Sequence, residues 1–208
     1  LYKERKMTLP DFFDQAPKIT LRDPLAQFLG ATPDGLLTYA YEDAVKLCGH
    51  SCPTVAGAYL MVLKGVQALY PNEIPERGNI EVAMRGGRSE GTVGVTASVA
   101  QLITGAAPET GFGGVGPNGR FSRRDLLSYD AEIEEEICLR RRDTGASVRV
   151  SFNGKIAPFA PEMREIMPLA VSGQATTEQL ARFGELWQQR VRTILIDECG
   201  NPELVVVR

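Results

Sequence analysis

The chain has 208 residues, 43% of them apolar, and its 23 Lys+Arg against 26 Asp+Glu leave a formal charge of −3, with four Cys and one His. That balance argues against a general nucleic-acid binder, which carries a basic excess, and the four cysteines are too few for a disulfide scaffold, so reduced thiols are expected. A lone histidine excludes any site built on two or more imidazoles, and no run approaches the ~18 apolar residues of a membrane span.

The N-terminal stretch has no apolar signal region, so a cytoplasmic location is expected; Met7 reads as the natural start, with residues 1–6 upstream or vector-derived. Pro10, Pro17, Pro24 and Pro33 allow only short helical pieces such as 25–29. Residues 1–35 therefore read as an arm over a core at 36–160, followed by C-terminal helices and a closing strand over 161–208. Residues 36–41 (LLTYAY) read as a strand. The first strong helix spans 53–69, with Val55, Tyr59, Val62, Val66 and Leu69 on one stripe and Pro53 at its first position. Its other faces are also apolar, which buries it centrally or in a subunit interface.

A strand is predicted at 80–84, a helix at 94–104 stopped by Gly105, and a glycine-rich loop at 105–119. Strands at 133–141 and 147–152 form a hairpin through Asp143-Thr144-Gly145. Ile133, Ile137 and Leu139 share one side of the first strand and Cys138 faces the other, while the arginines at 140–142 are expected to pair across strands with the acidic run at 132–136. A short helix follows at 161–170. A clearer one at 177–195 opens on a Thr176/Gln179 capping box and carries the stripe Leu180, Phe183, Trp187, Val191 and Ile194. A last strand lies at 204–207. Strands and helices mix without the regular alternation of a doubly wound sheet, so the fold class is α+β.

Chemistry concentrates in Cys48-Gly49-His50-Ser51-Cys52-Pro53, which holds half the cysteines and the only histidine. Thiolate and imidazole are preferred zinc ligands. In an extended segment, residues two apart point the same way, so Cys48, His50 and Cys52 can converge on one ion. Cys52 precedes a proline and reads as the N-cap of the 53–69 helix, where the dipole favours a thiolate. The competing reading is a buried hydrophobic cysteine and a structural histidine, since C-x-H-x-C is not an established zinc spacing.

At these residues the chain resembles the FmdE (FwdE-like) family of formylmethanofuran dehydrogenase proteins, whose signature Gly-His-x-Cys-Pro turn is Gly49-His50-Ser51-Cys52-Pro53 here. The likeness continues through Ala56-Gly57-Ala58-Tyr59, Gln101-Leu102-Ile103-Thr104-Gly105 and the stretch from Arg141 to Val150, covering residues 36–155. The resemblance implies an α+β domain like the catalytic, C-terminal domain of glyceraldehyde-3-phosphate dehydrogenase, a homodimer, and a metal at the turn with His50 and Cys52 as ligands. Three departures stand out. Cys48 occupies a position where the family commonly has histidine; Val95 and Ser98 stand where it often has cysteine and aspartate; and the C-terminal zinc ribbon of many members is missing.

Gly111-Phe112-Gly113-Gly114-Val115-Gly116 matches GxGxxG, but Pro117 follows where a helix should open, so a loop or lid is expected rather than a nucleotide site. Arg85, Arg88, Arg120, Arg123 and Arg124 are candidates for gripping an anionic substrate, against the plainer reading of a solvated surface. Glu42 and Asp43 are candidate acceptors for the His50 N–H, and Cys138 or Cys199 a candidate fourth ligand. The leading expectation is a zinc protein with Cys48, His50 and Cys52 as ligands and an open, catalytic metal position. The alternative is a non-catalytic haem or metal carrier, or a redox-partner protein.

Overall fold

The computed structural model describes residues 8–208. The expectations about Met7 and residues 1–6 lie outside the described residues. A five-stranded sheet in the order β4–β3–β5–β6–β7 organises the chain. Its strands are β3 (Ile80–Met84), β4 (Leu127–Ser128), β5 (Ile137–Arg141), β6 (Ser147–Phe152) and β7 (Val205–Val207). Only β3 and β4 run parallel; the other neighbours are antiparallel. Alternation decides which face is covered. Ile80, Val82 and Met84 of β3 and Ile137 and Leu139 of β5 are buried, while Cys138 is half-buried and Arg140 exposed on the opposite face.

The covered face meets α3 (Pro53–Leu69), the apolar helix, and α4 (Val93–Thr104). Two glycines on α3 let the sheet approach closely. A Cβ at Gly57 would run into the Phe152 ring, and one at Gly65 into Leu139 and Val150. The all-round apolar character of α3 is thus used inside the chain, where Val55, Tyr59, Val62 and Val66 are fully buried.

A two-stranded sheet of β1 (Ile19–Arg22) and β2 (Leu36–Tyr39) packs the N-terminal residues onto this core, with α1 (Pro24–Phe28) between them. Asp23 caps α1 by accepting from Leu25 N at 2.9 Å and Ala26 N at 3.3 Å. Phe13 sits edge-on to Tyr41, and Tyr41 edge-on to Tyr59, with centroids 5.0 and 5.7 Å apart. The Tyr59 hydroxyl donates to Pro17 O at 2.7 Å, so α3 holds the N-terminal segment directly. The C-terminal part adds α5 (Met163–Val171) and α6 (Thr177–Arg192), the latter opened by the expected Thr176/Gln179 capping box. A wide π turn at Thr193–Asp197 ends it. The fold is mixed α+β, and no helix among the described residues is long and apolar enough to cross a membrane.

Three expectations need correction. The strand expected at 36–41 stops at Tyr39, and an unpredicted helix, α2 (Tyr41–Cys48), begins two residues later. Asp43 starts it by accepting the Ala40 N–H at 2.9 Å, a capping contact that outweighs the strand propensity of Tyr41. The strand expected from Ile133 begins at Ile137 because residues 133–136 turn, which buries Glu135 against Arg208 at 3.2 Å. The arginines at 140–142 consequently do not pair with the acidic run: Arg140 faces Glu81 on β3, and Arg141 joins Asp143 and Glu73 at 2.7 and 3.2 Å.

Candidate functional site

The α2–α3 turn carries the predicted residues, but in a different backbone from the extended run expected. Cys48 is the last residue of α2, Gly49 closes that helix with φ 73°, and Cys52 is the N-cap of α3. Only a residue without Cβ adopts the Gly49 conformation freely, which is how the chain stops one helix and starts the next within four residues. The same-side argument from an extended strand therefore does not apply. The two cysteines stand instead at adjoining helix ends on either side of one turn.

Cys52 is 9% exposed, and its Sγ accepts from Val55 N at 3.4 Å, the expected N-cap role. Cys48 is half-buried; burial pushes its thiol up, and the nearby Cys52 adds to the effect. His50 is exposed, with Nδ1 2.9 Å from the Cys48 carbonyl. A carbonyl can only accept, so in the neutral ring Nδ1 carries the proton and Nε2 keeps its lone pair. Among the described residues no three His, Cys, Asp or Glu side chains are assembled as a metal would require.

The turn is held from outside by residues that local sequence patterns did not single out. Ser51 Oγ donates to Gln188 Oε1 at 2.9 Å, so the Tyr41 hydroxyl, 3.0 Å away, is the donor to Ser51. Gln188 Nε2 and Trp187 Nε1 both donate to the Ser51 carbonyl, at 3.1 and 3.2 Å. Burial holds the Tyr41 hydroxyl far above its ordinary value, with the two cysteines adding to it against the Ser51 bond, so it stays a neutral donor. Trp187 was recognisable as part of the apolar stripe of α6, but nothing in the sequence paired it with a residue 136 positions earlier. Replacing Gln188 by Ala should cost about 1 kcal/mol, because Trp187 still satisfies the carbonyl. Hydrogen exchange should show the loss as faster exchange at the 49–52 amides, with the β5–β6 hairpin unchanged.

The supporting roles expected around the turn are filled differently. Glu42 pairs with Lys46 at 3.2 Å and Asp43 caps its own helix, so neither receives the His50 N–H. Cys138 sits opposite Arg149 on the far face of β5, and Cys199 donates to Ile196 O at 3.4 Å. No helix opens behind the GxGxxG match; Val115 and Arg120 exchange backbone hydrogen bonds across it instead. Arg88 is taken by both Glu109 oxygens at 2.9 Å, Arg85 reaches the Glu134 carbonyl, Arg120 lies over Phe28 and Phe121, and Arg124 bonds Gly111 O. Of that set only Arg123 is buried, against Asp23.

The mixed α+β fold, with two helix ends meeting at a Gly-His-Ser-Cys-Pro turn, defines the class. A family model described as "FmdE, Molybdenum formylmethanofuran dehydrogenase operon" matches residues 47–199, starting one residue before Cys48 and including the α6 clamp. The chain belongs to the FmdE family. No curated protein matches it.

Proposed function

We propose that this FmdE-family chain is a metal-binding protein that holds zinc at the α2–α3 turn through Cys48, His50 and Cys52. The observation that carries the reading is the His50 ring: its Nδ1–H rests on the Cys48 carbonyl, which leaves Nε2 as a bare donor two residues from each thiol. Metal-binding histidines characteristically donate their other N–H to such a carbonyl. The ring is exposed and its Nδ1 is tied by that one bond, so Nε2 is accessible to an ion. The donor set, two thiols and an imidazole, suits zinc. The Ser51 clamp from Trp187 and Gln188 keeps the two helix ends, and with them the thiols, in place.

Zinc held by these three residues would keep a further position for a small molecule and would supply Lewis-acid chemistry there. The family's description, taken from the operon of a molybdenum enzyme, supports an accessory role beside such an enzyme. The test is metal content of untagged protein by mass spectrometry, with the visible spectrum before and after cobalt substitution. Stoichiometric zinc in the wild type, lost in Cys52→Ser and in His50→Ala, is expected, together with a thiolate–cobalt charge-transfer band. A Soret band in protein as isolated would replace zinc by haem. Wild type without stoichiometric metal after zinc reconstitution, or variants that retain it fully, would sink the reading.

A further inference from the structure

Away from the α2–α3 turn, a cavity of about 220 Å³ opens between the turn at 76–79, the loop at 119–123 and the end of β5. Drug-sized ligands occupy pockets of about 300–1,000 Å³, so this one suits a smaller group. Its lining includes Arg77, Arg123 and Arg142, with Ser122 and Phe121, and a single carboxylate, Glu76. Beneath it lies Asp23, only 3% exposed.

Asp23 serves two arginines at once. Its Oδ2 accepts from Arg77 Nη1 at 2.8 Å and its Oδ1 from Arg123 Nη2 at 2.6 Å. Arg123, 7% exposed, also donates to the Arg77 carbonyl, and its Nε–H has no acceptor among the described residues. Its guanidinium occupies the space where a Cβ on Gly78 would stand, so the glycine is what allows it in. Arg142 is exposed and spends one terminal nitrogen on Gly78 O at 3.2 Å; the rest of its fork has no protein acceptor among the described residues. Three guanidiniums thus face two carboxylates, Asp23 and Glu76, which leaves the site one negative charge short. The unpaired one is Arg142, exposed at the mouth, where a bound anion would supply its counter-charge.

The wall opposite is strained. Phe121 has φ 66°, a conformation rare for a bulky side chain, and is held there by the Phe28 ring at 5.3 Å and the Arg120 guanidinium at 4.4 Å. Backbone strain of this kind costs about 1–3 kcal/mol and gathers at ligand-binding loops. A purely structural network accounts for Arg77 and Arg123 on Asp23. It does not account for the buried Arg123 Nε–H, which has no acceptor among the described residues.

We propose that this cavity binds a small oxyanion, a phosphate or carboxylate group, with Arg142 as its outer clamp. Guanidinium forks match both groups in charge and geometry. Thermal melting and titration calorimetry of the full chain, at constant ionic strength, test it with inorganic phosphate, oxalate and sodium chloride. Saturable stabilisation by phosphate or oxalate, but not chloride, is expected, and the tighter of the two assigns the group. Arg142→Gln should weaken binding at least tenfold while lowering the anion-free melting temperature little, because Arg142 lies outside the Asp23 pairs and loses only its bond to Gly78 O. Arg142→Lys should lose less, and Arg124→Gln, outside the cavity, nothing. Stabilisation that follows ionic strength alike for all three salts, or an Arg142→Gln protein that binds like wild type, overturns the proposal.

Discussion

Asp23→Ala should destabilise the protein by about 3–5 kcal/mol, the cost of removing one partner from a buried charge pair. Asp23 and Arg123 are buried and Arg77 is half-buried. Without the carboxylate, two guanidiniums are left facing each other at low dielectric, and α1 loses its N-cap as well. Asp23→Asn separates these contributions. The amide oxygen can still accept from Leu25 N and Ala26 N, so the cap survives, but the charge is gone. Urea denaturation of both variants should place Asn within about 1 kcal/mol of Ala, since a cap is worth about 1 kcal/mol and the charge the remainder. An Asp23→Asn protein as stable as wild type would mean that the charge pairing adds nothing net.

How much of this was legible beforehand depended on whether the deciding contact was local. Helix α3 was readable to its last residue because Pro53 marks its start and apolar residues run through it. The β5–β6 hairpin was readable from Asp143-Thr144-Gly145, and the opening of α6 from its capping box. Helix α2 was missed although both its signals were present: Asp43 three residues after Ala40, and Gly49 directly after Cys48. Its first residue is a tyrosine continuing an apolar, aromatic run, so strand propensity masked the helix start. Cys52 is the N-cap of α3 as expected, but the geometry of the Cys/His segment was derived from an extended backbone, and that missing helix is the reason. The Ser51 clamp and the pairing of Arg123 with Asp23 join residues 137 and 100 positions apart, and no local pattern marks either.

The contact between α3 and the sheet predicts an inversion of sign. Leu139 is fully buried, and its Cδ1 lies 2.6 Å from where a Cβ on Gly65 would stand. Leu139→Ala should therefore cost about 2–5 kcal/mol through lost burial and the cavity left behind. Gly65→Ala in the wild type sets two effects against each other. The helix gains about 1 kcal/mol from the better propensity, but overpacking a closed core costs about 1–3 kcal/mol, so a net loss is expected. In the Leu139→Ala background the added methyl group enters vacated volume. There Gly65→Ala should stabilise by about 1 kcal/mol, with Val150 Cγ2, 3.1 Å from the new Cβ, yielding by a few tenths of an ångström. Urea denaturation of the four proteins gives the cycle, with an expected coupling of about 1–3 kcal/mol. Equal destabilisation by Gly65→Ala in both backgrounds would show that Leu139 is not what excludes a side chain from position 65, and that α3 does not approach β5 as closely as this packing requires.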